Sequence, residues 1–563
     1  MSDMKKRDPL QYDFDEQWDV EQALFGRTST GSAKNSFPLD NDVDVFVSVM
    51  HAHNGSNADQ ARTSAEDSRK KEPQKRPQGR AAQSAAVASR SRPVATKKRK
   101  TKKRKVNYKG LAILAAMALT AVLILYLIIS FFVWVLSPGD SLPEEATEQT
   151  SSSETEPTTT VDYDAIAREL VEEADIQAAM YDYDAAIATI KSFGNNWAQR
   201  AELSAAKQKY EQLKTQAVRW EDTTTIPHIF FHSLIADNAR AFDGQYTEDG
   251  YNQYMTTIPE FEAMLEEMYA RGYVLVKIHD IAKLTKDENG NEVYRQGDIY
   301  LPEGKKPIVM SQDDVNYYEY MVDSDGDHLP DAGGDGFASK LVVDASGNIT
   351  CEYVTAEGQT VYGDYDLVPI VERFVREHPD FSYRGAKAIV GITGYEGVYG
   401  YRTDKDGKER LTPEEFQKEV DGAKAVTAWL LENGFEIASH SYGHPAYGNI
   451  SNEKLATDVQ RWEEEVQPVV GDTDIILYPF GSDIAGIGKY SGAKYDSMYA
   501  AGYRFFCNVD SSDYWVQIRD KYVRQGRRNL DGYRLWYNPG MLDDLFDAEA
   551  VFDPDRPTPV PPL

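Results

Sequence analysis

The 563-residue sequence predicts an α/β protein, a barrel or distorted barrel that follows one membrane-spanning helix and an α-helical spacer. Three observations predict it. From about residue 225, short apolar runs alternate with amphipathic helical stretches, and no dinucleotide-binding glycine fingerprint accompanies them. Leu111 to Leu136 is a continuous apolar run without a charge. Between the two, Asp162 to about Arg219 carries apolar residues at helical spacing.

A net charge of −30 hides an asymmetry: Lys97-Lys98-Arg99-Lys100 and Lys102-Lys103-Arg104-Lys105 form a basic run, and nearly everything downstream is acidic. An acidic bulk repels phosphate backbones, so no nucleic-acid partner is expected. Cys351 and Cys507 are the only cysteines, which rules out a disulfide framework, and they read as two unpaired thiols.

Residues 1–107 are poor in apolar side chains and read as a disordered cytoplasmic tail. At about 1.5 Å per residue, the apolar run in 108–137 outreaches a hydrocarbon core of roughly 30 Å, so it spans with some tilt. It starts too deep in the chain for a cleaved signal peptide. The basic run before it places the N-terminus in the cytoplasm and all that follows Ser137 outside. Residues 138–160, rich in Pro, Glu, Thr and Ser, form a solvated linker. In 161–220, Ile166, Leu170 and Ala174 share one helical face, as do Ala206, Tyr210, Leu213 and Ala217. A plain helical spacer is the simplest reading; a protein-binding helix pair is the alternative.

In 225–545 the expected elements begin with a strand at His228-Ile229-Phe230-Phe231 and a helix from Ile258 through Met268, stopped by Gly272. Strands follow at Tyr273–Val276 and Ile308–Met310. A helix over Glu414–Leu431 precedes a strand at Phe435–Ala438, and a helix from Asn452 to about Val466 precedes one at Ile475–Tyr478. An insertion carries Asp323, Asp325, Asp327 and Asp331, at the first, third, fifth and ninth places of a calcium-type loop. It lacks the glutamate at the twelfth place, so calcium and a solvated acidic turn both stay open. Phe337–Val343 and Ile349–Val354 read as a hairpin over the barrel mouth. Residues 546–563 are a Pro-rich tail.

The chemistry sits in two stretches, each just after an apolar run. His440 and His444, four apart, can face one cavity. With one carboxylate they make a three-ligand set that leaves a divalent ion an open position. Asp313 and Asp314 supply that carboxylate and a second one able to take a proton from water. Alone, an Asp-Asp pair is usually a loop end and two such histidines are often surface residues; together, each after a strand, they point to a metal site.

Ser311-Gln312-Asp313-Asp314-Val315 resembles T-F-D-D-G, the first motif of the polysaccharide deacetylases with a NodB-homology domain. His440-Ser441-Tyr442-Gly443-His444 matches the second, H-[S/T]-x-x-H, and Tyr478-Pro479-Phe480-Gly481 matches a third that ends P-[Y/F]-G. The resemblance covers residues 225–545 and implies an irregular (β/α) barrel of the NodB-homology type. It implies Asp314, His440 and His444 as ligands of a divalent metal, zinc by default with cobalt, nickel or manganese also fitting. It implies Asp313 as the base, and a backbone N–H near Phe480 in the oxyanion site. Tyr478, Pro479, Phe480 and Trp515 would then contact a polysaccharide substrate, with Trp515 equally readable as core. The implied activity is hydrolysis of N-acetyl groups on a cell-wall or surface glycan by a membrane-anchored enzyme.

Two departures bear on this. The family's third motif usually opens with an arginine that orients the catalytic aspartate, and here Leu477 stands in that place. The family's last motif supplies a histidine acid, yet no histidine occurs after His444, and Gly540-Met541-Leu542-Asp543-Asp544 offers only carboxylates. His232, after the first strand, resembles a position in a membrane-associated or secreted subgroup and is a candidate acid; otherwise Asp313 serves as base and acid in turn. Arg527-Arg528-Asn529 resembles a basic position of the same subgroup. The rival readings are a metal-bearing glycan-binding protein with impaired turnover and an esterase acting on O-acetyl groups.

Overall fold

The computed structural model describes residues 162–245, 247–323, 328–486, 488–510 and 514–563. The tail, the apolar run Leu111–Leu136, the linker, and Asp325 and Asp327 of the acidic loop lie outside them. No helix among the described residues is long and apolar enough to cross a membrane.

Seven parallel strands close into a ring: β1 (His228–Phe231), β2 (Lys306–Gln312), β3 (Ile389–Ile392), β4 (Glu436–Ser439), β5 (Ile475–Leu477), β6 (Phe505–Val509) and β7 (Val523–Asn529). Their order around the ring is their order in the chain, with β7 returning to β1 and β2 pairing with both β1 and β3. Buried on both faces, most of these strands read as apolar runs without the alternation of a half-exposed sheet; β7, Val-Arg-Gln-Gly-Arg-Arg-Asn, is as buried but polar. The expected strand at Tyr273 is real but stays outside the ring. It pairs with the first half of β2, at Lys306 to Ile308, while the second half of β2 pairs with β3 at Ser311 and Gln312. A seven-residue strand can serve two neighbours in succession.

Helices α1 (Tyr163–Ala179), α2 (Tyr183–Lys191) and α3 (Ala201–Gln216) confirm the helical reading of that stretch. They do not stand apart from the barrel. Ala174, Ile190 and Tyr210 join one core with Val274, Ile475 and Phe505 at the N-terminal end of the ring. The Tyr181 hydroxyl donates to the Asp380 carbonyl at 2.8 Å, and the Arg384 N–H donates to the Met180 carbonyl at 2.8 Å.

The two long barrel helices that the sequence announced begin with reciprocal caps. Thr257 and Glu260 form a capping box at α4 (Ile258–Ala270), and Thr412 and Glu415 form one at α6 (Pro413–Glu432). Between them α5 (Leu367–Glu377) buries Ile370, Val371 and Phe374, and α7 (Asn452–Arg461) buries Leu455 and Val459. The hairpin pairs as expected, Val343 opposite Ile349, with a third strand, Thr360–Gly363, beside it. It lies on the barrel flank, where Trp429 Nε1–H of α6 donates to Gly347 O at 2.9 Å, and lines no part of the cavity described below. Cys351 and Cys507 are buried free thiols.

The Pro-rich segment folds back onto the barrel. Arg556 is buried and donates to both carboxylate oxygens of buried Glu260 and to the carbonyls of Asn252 and Met255. Arg556→Ala strands a buried carboxylate and should lower stability by about 3 kcal/mol in urea unfolding, well above a surface substitution. At the other end of the ring, His279 bridges Glu436 of β4 and Asp474 before β5. Burial pulls the His279 pKa down, but the hydrogen bonds its ring donates to Asp474 and Glu436, and their charges, push it up to about 10. A raised folded pKa adds stability that is full below the ordinary imidazole value and fades as pH rises through about 10. The ring is 45% exposed, so screening trims the effect. The melting-temperature gap between wild type and His279→Ala should therefore be present at pH 6 and shrink by pH 10.5; an equal gap at both would contradict the assignment.

Candidate metal centre

Strands β2 and β4 end on either side of β3 and deliver the chemistry to one point. β2 closes with Asp313 N–H donating to Phe231 O at 2.8 Å, and β4 with His440 N–H donating to Ile392 O at 2.7 Å. Gly391 of β3 lets them converge: a Cβ there would lie 2.8 Å from Leu477 Cδ1 and 3.0 Å from Gln312 O. Asp314, Ser441, His444 and Phe480 then take left-handed backbone conformations, with φ of 59°, 66°, 54° and 55°. Non-glycine residues adopt this only where the surroundings impose it. Around His444 the imposing group is Asp458 on α7, whose carboxylate accepts from Tyr442 N–H at 2.9 Å and Gly443 N–H at 2.8 Å.

Asp314, His440 and His444 form a group able to hold a metal ion, the only such group among the described residues. His440 Nδ1–H donates to the Leu477 carbonyl at 2.8 Å, which turns Nε2 toward the cavity. There the two Nε2 atoms are 3.2 Å apart, and each is 3.8 Å from Asp314 Oδ2. Donors at about 2.0–2.1 Å from a tetrahedral ion sit roughly 3.3 Å from one another, so the set fits a divalent cation with little movement. Burial lowers the His444 pKa to about 4 against the opposing charge of Asp314, so its ring is neutral at pH 7, as a ligand must be. Tyr318 donates to Asp314 Oδ1 at 2.7 Å and aims the other oxygen at the histidines.

Asp313 is buried beside them and carries its own counter-charge. Arg527 of β7, fully buried, meets it with two hydrogen bonds, Nη1 to Oδ1 at 2.6 Å and Nη2 to Oδ2 at 3.0 Å. Burial pushes the Asp313 pKa up, but the Arg527 charge, His440 and the two hydrogen bonds outweigh it and hold the carboxyl well below its usual range. With Leu477 in the place where an arginine was expected, the guanidinium on Asp313 comes instead from β7, two strands further round the ring. The signal was an Arg-Arg pair inside a strand whose neighbours are buried.

His232 reaches the same cavity as the four motif residues. Its Nδ1 faces the Tyr254 carbonyl at 3.1 Å, which leaves Nε2 for the cavity. Phe480 also lines it, edge-on to His444 with ring centres 4.5 Å apart. Tyr478 does not, because its side chain is fully buried behind the wall, where its hydroxyl meets Tyr490 at 3.3 Å; Pro479 is buried beneath the loop. Trp515 also stays out: its Nε1–H donates to Asp510 at 2.9 Å and its ring covers Gly526, where a Cβ would lie 2.6 Å from Nε1. Asp543 and Asp544 do not line the cavity, whereas Asn529, Asp531, Tyr254 and Tyr533, unflagged by any motif, do. Of the calcium-type loop, Asp323 accepts from His328 N–H at 2.7 Å, and Asp325 and Asp327 are outside the described residues.

A parallel barrel thus gathers two carboxylates and two imidazoles at its strand ends, a centre able to hold a metal ion. Residues 411–505, from the start of α6 through His440, His444 and Phe480, match the polysaccharide deacetylase family model. No curated protein matches it. Among solved structures, the Streptococcus pyogenes deacetylase PplD in complex with acetate is similar at 10% identity over 56% of this chain and 94% of that one, with a TM-score of 0.29. The deacetylase domain of BpsB from Bordetella bronchiseptica is similar at 11% identity over 55% and 98%, with a TM-score of 0.28.

Arg527→Lys keeps the charge but loses the two-pronged grip. It should retain metal and fold while kcat falls on the order of 10²-fold, because Asp313 is no longer held in place. Unchanged kcat would remove Arg527 from the account.

Proposed function

We propose that the chain is a membrane-anchored, metal-dependent deacetylase that hydrolyses N-acetyl groups on an extracellular glycan of N-acetylated amino sugars. The observation that carries the reading is the pairing of the Asp314–His440–His444 donor set with a separately charged base, Asp313, on one cavity. A divalent ion, proposed as zinc, would supply Lewis acidity, polarising the acetamide carbonyl and making water easier to deprotonate. Asp313, ionised by Arg527, takes the proton from the attacking water. Phe480 lines the cavity, and its backbone N–H is the proposed oxyanion donor. His232, with Nδ1–H bonded to the Tyr254 carbonyl, presents Nε2–H to the departing amine and replaces the histidine absent from the end of the chain.

Anchoring and outward orientation rest on the sequence, on Leu111–Leu136 and the basic run before it. The glycan-binding alternative drew on the missing arginine and the missing late histidine; the grip of Arg527 on Asp313 answers the first and favours turnover, and His232 is proposed for the second.

The test is acetate release by the zinc-loaded full chain from N-acetylglucosamine oligomers and peptidoglycan, with acetylated xylan as the ester arm. Release from the amides is expected, abolished in Asp314→Asn. In His232→Ala it should be lowered about 10²-fold or more with metal retained. Release from xylan alone would replace the amide reading with the ester one, and no release from any glycan would overturn both.

A further inference from the structure

The cavity does not end at the metal centre. One side continues onto the short helix α8 (Gly532–Tyr537), which follows β7 and is capped by Asp531, whose carboxylate accepts from Arg534 N–H at 2.7 Å. Tyr533 on α8 lines the cavity. One turn further, Tyr537 places its ring 4.6 Å from that of Tyr533, with 35° between the planes. Tyr537 is 39% exposed and Trp536 beside it 41%, among the few large apolar side chains of the described residues so open to water. Tyrosines four apart on a helix share one face. Here the face is held rigid: the Tyr537 hydroxyl donates to Val560 O at 2.8 Å, and Trp536 leans on Phe552 with ring centres 5.8 Å apart.

Other parts of the cavity lining are aromatic as well. Tyr318, which orients Asp314, is stacked between Tyr395 and Tyr320 at 4.9 and 5.9 Å, the planes within 6° and 16°. An exposed aromatic strip continuous with a catalytic cavity is the pattern of a ligand groove rather than of scattered surface side chains. Sugar rings are flat-faced, carry apolar C–H surfaces above and below, and present hydroxyls at their edges. Rigid aromatic faces bury the former at little entropic cost. Asn529 and Asp531, which line the cavity and are hydrogen-bonded to each other, carry polar groups of the kind that meet the latter.

We infer that Tyr533, Tyr537 and Trp536 form a sugar-stacking subsite that binds the saccharide units adjoining the one being deacetylated, so that the enzyme selects polymer over short fragments. This rests on the proposed function for the reacting unit, and on α8 alone for the length preference. In an acidic chain an uncharged strip suits a neutral glycan, which gains nothing from ion pairing.

The experiment compares kcat/KM of the zinc-loaded full chain on the dimer and the hexamer of N-acetylglucosamine. Wild type should favour the hexamer. Tyr537→Leu, which removes the ring but keeps an apolar side chain, should cut the hexamer-to-dimer ratio about tenfold through KM, the size expected of one lost stacking contact. Tyr537→Phe, which loses only the hydroxyl bond to Val560, should keep the ratio, and Trp536→Leu gives a second reading from the neighbouring ring. A ratio unchanged in both leucine variants, or equal losses on dimer and hexamer, would overturn the subsite while leaving the deacetylase standing. If wild type binds hexamer calorimetrically but releases no acetate, the deacetylase reading falls, and loss of that binding in Tyr537→Leu still supports the subsite. Absence of hexamer binding overturns it.

Discussion

Two neighbouring carboxylates, buried Asp313 and half-buried Asp314, sit at the end of one strand, and both are ionised there at least cost if each has its own positive partner. Asp313 has Arg527, fixed in β7 and gripping with both amino groups. Asp314 faces two imidazoles with their Nε2 atoms turned inward, an arrangement that a divalent ion completes. The proposed division of labour rests on this. Arg527 fixes Asp313 away from the histidines, as the proposed base requires, while Tyr318 holds one oxygen of Asp314 and leaves the second facing the histidines, as a proposed ligand requires.

Holding these groups together strains the backbone. Left-handed conformations at Asp314, Ser441, His444 and Phe480 each cost on the order of 1 kcal/mol. The barrel imposes them because its strands are fully buried and cannot slip: β2 is paired on both sides, β3 closes on it, and Asp458 ties the loop between the two histidines. The helices of residues 163–216 brace the other end of the ring by sharing its core, so the site and its support lie at opposite ends of the same strands.

Much of this was legible in the sequence where the signal was local. The HSYGH loop, the Asp-Asp pair and the capped helices α4 and α6 are each written in consecutive residues, and the strands beneath them are apolar runs. What was not legible depends on contacts distant in the chain. Leu477 looked like a loss because the arginine that replaces the missing one comes from position 527, brought across only by ring closure. Tyr478 and Trp515 looked like substrate contacts because motif spacing does not say which way a side chain turns; the first turns into the core and the second onto Gly526. The docking of the helical segment on the barrel was hidden for the same reason, since periodicity shows an apolar face and not its partner.

The most direct test of the account is metal stoichiometry in the purified full chain, measured by elemental analysis after equilibration with zinc, beside His444→Ala and Arg527→Lys. The account predicts one tightly held divalent ion per chain in wild type and in Arg527→Lys, and loss of that ion in His444→Ala. A wild-type chain that holds no ion, or a His444→Ala chain that keeps it, would contradict the assignment of this centre.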